Sequence, residues 1–163
     1  MSMDPEGPPC DCGNRGCLET YVSTLALEKE MAGELEKAPE HPLYGAALSA
    51  REILGLAQRG DPLARKVFCR QGEMLGRGMV NLVNLLNPDY LVITDELAAC
   101  DELLLACVDG VLKKYLSPRI YQAVRLSVRP GSPFQAMQAA SALILDRFLS
   151  EPAFFGQIRL KGE

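Results

Sequence analysis

With 163 residues, a net charge of −4 and 48% apolar residues, the chain has the length of one sizeable domain and the composition of an ordinary soluble protein. The acidic balance argues against a general nucleic-acid binder, because neutralising phosphates takes clustered Lys and Arg. The densest apolar stretch, near 78–93, is broken by Asn81, Asn84, Asn87 and Pro88, so no membrane span is expected. Met1 leads into acidic, proline-rich sequence rather than an export signal, which makes the cytosol the expected compartment.

Residues 1–9 carry three prolines and a glycine and predict an irregular lead-in. From Cys17 the pattern turns helical through about Lys37, with Leu18, Val22, Leu25 and Leu35 among good helix formers. Pro39 and Pro42 mark a loop, Ser49 can cap a short helix to Arg59, and Gly60 stops it. Asp61-Pro62 is a strong start signal, since aspartate caps and proline is tolerated in the first turn. The helix it opens places Leu75, Met79, Leu82 and Leu86 on one stripe and ends at Asn87-Pro88. Gly72, Gly76 and Gly78 are costly inside a helix and predict close packing there.

Tyr90 to Thr94 reads as a short buried strand, followed by a helix from about Leu97 to Tyr115 and a second strand at Val124 to Val128. Ser132-Pro133-Phe134-Gln135 is a capping box with proline at the first helical position, opening a helix to about Leu149, with a tail from Pro152. Strand, helix, strand, helix after residue 88 is the order of an α/β unit with parallel strands. Two strands alone make a poor sheet, because both edges offer unpaired backbone groups, so the sheet is expected to be a truncated part of a larger one.

The chemistry concentrates in Cys10-Asp11-Cys12-Gly13-Asn14-Arg15-Gly16-Cys17-Leu18-Glu19. The spacing C-x-C-x₄-C, with two glycines freeing the backbone, lets three thiolates converge on one Zn²⁺; the bland alternative is three free thiols in a flexible arm. A closed structural site wants four ligands, and the local sequence supplies three. His41, the only histidine, lies between prolines and is either a solvated loop residue or a distant completer. Cys69, Cys100 and Cys107 are scattered through apolar, helix-like sequence and read as small buried hydrophobes. Asn81, Asn84 and Arg15 read as structural or solvated residues.

The motif CDCGNRGCLE resembles, residue for residue, the CxCGxxGCxE zinc motif of the ROK family of sugar kinases and sugar-responsive repressors. SAREILGLAQRGDPLARKVF and GRGMVNLVNLLNPDYLVI resemble later segments of that family, and the likeness runs over about residues 4–152. The resemblance implies an α/β, helix-rich fold, the C-terminal part of an actin-like ATPase (RNase H-like) lobe with a short parallel sheet. One domain is expected over 1–163, with the zinc motif at 10–19, a helical region at 18–87 and an α/β unit at 88–150. It further implies metal ligation by Cys10, Cys12 and Cys17, with the family's fourth ligand, a histidine, falling before Met1. Glu19 takes the place of the family glutamate that contacts sugar hydroxyls; its plain alternative role is a first-turn carboxylate that offsets the helix dipole.

Two departures bear on function. After the strand LVI, family kinases place a Gly-Gly pair for close approach to the nucleotide, and this chain has Thr94-Asp95. Where the family shows a Gly-Ala-Ala run, this chain has Gln138-Ala139-Ala140. A β-branched residue and a carboxylate disfavour a passing polyphosphate, although the cleft could instead be displaced by a residue. The resemblance therefore implies the sugar-sensing C-terminal region of a transcriptional regulator, binding DNA only through a missing N-terminal domain. The alternative is the C-terminal lobe of an ATP- and Mg²⁺-dependent sugar kinase; in either case the chain itself lacks a catalytic base and a phosphate loop. A homo-oligomer without membrane association is expected.

Overall fold

A computed structural model of the chain describes residues 1–95, 98, 100–130 and 135–150. It falls into two compact units, Met1–Pro130 and Gly131–Glu163. The first opens with a loop that leads into α1 (Glu19–Val22), α2 (Thr24–Glu36), α3 (Ala50–Gln58) and α4 (Pro62–Leu86). These are followed by β1 (Tyr90–Asp95), α5 (Asp101–Tyr115), α6 (Pro118–Ala123) and β2 (Arg125–Pro130). The described part of the second unit is one helix, α7 (Gln135–Ser150). The capping box expected at Ser132-Pro133 and the tail from Pro152 lie outside the described residues. No helix among the described residues is long and apolar enough to cross a membrane.

The start and stop signals act as local chemistry requires. Ser49 and Glu52 form a reciprocal capping box at the head of α3. The Asp61 carboxylate accepts from the Ala64 amide at 2.8 Å at the head of α4, with Pro62 in the first turn. Asn87 ends α4 in the left-handed conformation, with φ 46°, and its amide returns to the Val83 carbonyl. The helix expected from Cys17 to Lys37 is instead two helices. Ser23 is extended and its hydroxyl accepts from the Ala26 amide, so it caps α2 and breaks the run after α1.

The 25-residue α4 is the element the others pack on. Its Phe68, Val67 and Val83 are buried with Leu27 and Met31 of α2 and Ile53 of α3. On another face, a methyl added at Gly72 would stand 2.8 Å from Cys107 Cβ, and one at Gly76 would stand 2.8 Å from Val111 Cβ. These glycines, one turn apart, let the backbone of α4 approach α5 closely. Gly78 lies about 200° further round the helix than Gly76 and makes room for Leu18, whose Cδ2 sits 2.7 Å from the site of a missing methyl. α4 is thereby gripped from two sides, by α5 and by the helix that follows the cysteine motif.

β1 and β2 are parallel, with Tyr90 opposite Arg125 and Asp95 opposite Pro130, and α5 supplies the crossover. Leu91 and Ile93 are buried, whereas Tyr90 and Val92 are exposed. The strand expected to be buried throughout is thus buried on one face. The Arg125 guanidinium covers the Tyr90 ring at 5.6 Å on the open side. α6, between Ser117 and the second strand, went unread in the sequence; the Tyr121 hydroxyl donates to Asp109 of α5 at 2.9 Å and ties it down. Cys100 is buried and donates to the Leu54 carbonyl. Cys69 and Cys107, in contrast, are half-buried and paired as a disulfide between α4 and α5, so they are not the free core thiols the sequence suggested.

Between α2 and α4, Glu34 is buried and accepts from Lys66 Nζ at 2.6 Å, Lys37 Nζ at 3.1 Å and Arg70 at 3.2 Å. The Lys66 ammonium, then Lys37 and Arg70, hold its carboxyl down at about 2. A depressed carboxyl stabilises the fold above its unfolded value, near 4.5, and that contribution fades as the pH falls toward 2. Glu34→Gln is therefore expected to lower the unfolding midpoint at neutral pH, with the difference from wild type closing as the pH drops from about 4.5 to about 2. A midpoint difference that stays constant across that range in thermal melts would contradict the assignment.

Glycine packing makes its own prediction. Gly76→Ala gains about 1 kcal/mol in helix propensity but meets Val111 Cβ, a branch point that cannot swing away. A net loss of about 1–2 kcal/mol is expected from urea unfolding. Gly33→Ala in α2, where nothing lies within 4 Å, is expected to stabilise by about 0.5–1 kcal/mol in the same measurement.

Candidate metal centre and its surroundings

The cysteine loop is built by backbone turns that the two motif glycines permit. Gly13 has φ 88° and Gly16 has φ 58°, both in the left-handed region. The Cys10 amide donates to the Asn14 carbonyl at 2.9 Å and the Gly13 amide to the Cys10 carbonyl at 3.0 Å, closing a tight turn. The Gly16 amide reaches the Pro8 carbonyl at 2.7 Å, and Pro9 and Arg15 form an antiparallel bridge. The expected irregular lead-in is fastened to this loop: the Met3 amide donates to the Gly16 carbonyl and the Leu18 amide to the Met1 carbonyl. A methyl at Gly16 would overlap the Asp4 carbonyl, so only glycine fits.

This folding brings the three cysteine sulfurs within 4.8 Å of one another, with Cys12 and Cys17 at 3.5 Å. Cys17 is buried, Cys10 half-buried and Cys12 exposed. The Asn14 backbone amide, then the Cys17 and Cys10 thiols, lower Cys12 to about 7. Cys17, hydrogen-bonded to Cys12 and desolvated, is pushed up to about 11. Three thiols at this separation resist joint ionisation unless a cation takes up the charge. In a tetrahedral zinc-thiolate centre the sulfurs stand about 3.8 Å apart, a value inside the observed range. The donor set therefore fits a thiophilic divalent cation, and the chemistry such an ion supplies is structural: it pins the loop.

His41 does not complete the set. Its Nε2 lies 3.3 Å from Asp61 Oδ2 and its Nδ1 accepts from the Leu43 amide at 3.2 Å, so both nitrogens serve the start of α4. Among the described residues, no other histidine, cysteine or carboxylate joins the three thiols.

Glu19 opens α1 two residues after Cys17 and is exposed. It lines a shallow cleft with Cys10, Asp11, Ser23 and Lys29, so the motif's carboxylate and its first cysteine border the same space. Leu18, between the two motif ends, is seated against Gly78 of α4 and fixes α1 on the helical layer. Arg15 is exposed, and its carbonyl accepts from the Ser2 hydroxyl. Asn81 donates weakly to the Met1 sulfur, a structural contact. Thr94 and Asp95 close β1 at its C-terminal end, in register with Arg129 and Pro130, while Gln138-Ala139-Ala140 lie in α7 of the second unit.

The first unit thus sets a helical layer beside a parallel β-α-β unit, with the three-cysteine loop at its head. The ROK family profile matches residues 1–147, and the chain belongs to the ROK family. It is 29% identical over 144 residues to the DNA-binding transcriptional repressor Mlc of Escherichia coli strain K12, covering 88% of this chain and 35% of that protein. It is 24% identical over 150 residues to the glucokinase of Thermotoga maritima, covering 89% of this chain and 47% of the enzyme. The crystal structure of an ROK family transcriptional regulator, a homologue of E. coli Mlc, superposes with a TM-score of 0.77 at 28% identity, over 90% of this chain and 37% of that one. The chain thus spans about a third to a half of the length of these relatives.

Protein purified without chelator is expected to carry about one equivalent of zinc, measured by inductively coupled plasma mass spectrometry. Cys12→Ser and Gly16→Ala are each expected to cut this severalfold, the first by removing a ligand and the second by breaking the turn that gathers them. Zinc-free protein with all three thiols freely alkylated would show that the cluster is no metal centre.

Proposed function

We propose that the chain is the sugar-sensing C-terminal region of an ROK transcriptional regulator, with zinc held by Cys10, Cys12 and Cys17 as a structural ion and Glu19 accepting hydrogen bonds from sugar hydroxyls. The observation that carries the regulator reading is the end of β1. Open α/β sheets bind ligands at the carboxyl ends of their strands, and there the sequence places Thr94-Asp95 in register with Arg129 and Pro130. A pair of glycines would let a nucleotide approach the backbone; a β-branched residue and a carboxylate do the opposite. Likeness to Mlc, a DNA-binding transcriptional repressor, supports the same reading. DNA contact belongs to a preceding domain in this proposal, and the acidic 163-residue chain does not supply it. Exposed Leu85, Leu86, Tyr90 and Val92, together with a sheet of two strands among the described residues, support the expectation of self-association or of cover by another lobe. The second reading, the C-terminal lobe of an ATP- and Mg²⁺-dependent sugar kinase, draws on the likeness to the Thermotoga glucokinase.

The two readings separate in the longer protein that carries this chain. Calorimetric titration with hexoses and N-acetylhexosamines is expected to show saturable binding of one of them, weakened about tenfold or more by Glu19→Gln, which keeps the shape and loses the charge. A coupled assay with ATP and Mg²⁺ over the same sugars is expected to show no turnover. Robust phosphorylation would replace the regulator with the kinase, and binding indifferent to Glu19→Gln would remove the sugar contact.

A further inference from the structure

We infer that Cys69 and Cys107 are a reversible redox pair that staples α4 to α5. Their Cα atoms are 5.5 Å apart, inside the 4.4–6.8 Å span that a disulfide bridges without moving the backbone. The spacing is set by something other than the sulfurs. Cys69 lies three residues before Gly72, on the face of α4 that α5 approaches, and Gly72 already admits Cys107 Cβ to close range. Gly76 does the same for Val111 one turn on. The helices are therefore held at bridging distance by packing.

Access distinguishes this pair from Cys100. Cys69 and Cys107 are both half-buried, so a small reagent can reach them. Cys100, the other cysteine on this side of the fold, is buried and its thiol is engaged with the Leu54 carbonyl. The bond encloses a sequence separation of 38 residues that contains most of α4, the Asn87 turn, all of β1 and the start of α5. Closing it removes chain entropy from the unfolded ensemble, while the folded helices stay where they are.

The chemistry is thiol–disulfide exchange with a low-molecular-weight disulfide, RSSR. One protein thiolate attacks RSSR, forming a mixed disulfide and releasing RSH after protonation. The second protein thiolate then attacks the protein sulfur of that mixed disulfide and expels the second RSH. Two protein thiols are oxidised by two electrons, and one RSSR is reduced to two RSH. Excess thiol drives the reverse. In a reducing compartment a bond of this kind is transient and reports the redox state, rather than serving as permanent scaffolding.

The test uses the 163-residue chain equilibrated over a range of oxidised to reduced glutathione, acid-quenched, alkylated and digested. Trypsin frees residues 67–70, and cleavage before aspartate separates 101–108, which holds Cys107, from 95–100, which holds Cys100. The expected product is a 67–70 to 101–108 cross-linked peptide that rises with oxidised glutathione and disappears in dithiothreitol. The helical circular dichroism should be the same in both forms, and the oxidised chain should melt about 5 °C or more higher. Cys69→Ser and Cys107→Ser should each erase both the peptide and the redox-dependent part of the melting shift. Failure to find the linked peptide in wild type at saturating oxidised glutathione would overturn the pairing. A bond that survives excess dithiothreitol in folded protein would overturn its reversibility.

Discussion

The structure turns on how closely other helices can approach α4. An ordinary helix pair keeps its axes 8–10 Å apart because side chains stand between them, and glycines remove that spacer. Gly72 and Gly76 do so toward α5, where Cys107 and Val111 press in, and Gly78 does so on the opposite side, toward Leu18. One helix thereby serves both the β-α-β unit and the cysteine loop. Loss of backbone entropy and of helix propensity at three positions, on the order of 1 kcal/mol each, is offset by contact on both flanks. The cleft beside Glu19 and the carboxyl ends of the strands are positioned by the same rod.

Much of this was legible because the signals are short-range chemistry. Asp61-Pro62, Ser49 and Asn87 each say where a helix starts or stops through a hydrogen bond within four residues, and each acts as read. The three-cysteine cluster was legible for the same reason: the glycines and ligands that make it lie within eight residues. Family membership followed from that motif and is shown over residues 1–147.

What escaped reading depends on partners distant in sequence. Ser23 looks like one more polar residue in a helical run, and only the change of direction between α1 and α2 makes it a cap. Ser117-Pro118 carried the same start signal as Asp61-Pro62 and could have revealed α6, but a six-residue helix shows too little periodicity to attract notice. β1 reads as uniformly apolar, yet Tyr90 and Val92 face outward, because burial is decided by which faces have neighbours. No spacing rule links Cys69 to Cys107, whose meeting is a product of helix packing. His41 is the converse case: a ligand type that packing assigned to Asp61 and the Leu43 amide instead.

The cysteine loop also has a consequence in time. Every backbone hydrogen bond that shapes it joins residues 1–18, from the Leu18 amide on Met1 to the Gly16 amide on Pro8, so it can close before α4, the helix it docks on, has been made. Its docking site, Gly78, is about 60 residues later in the chain, which at roughly 5–20 residues per second is on the order of 3–12 seconds of synthesis. During that interval Leu18 has no helix to seat against. The order of synthesis therefore places the gathering of the three thiols ahead of the docking of Leu18 on Gly78.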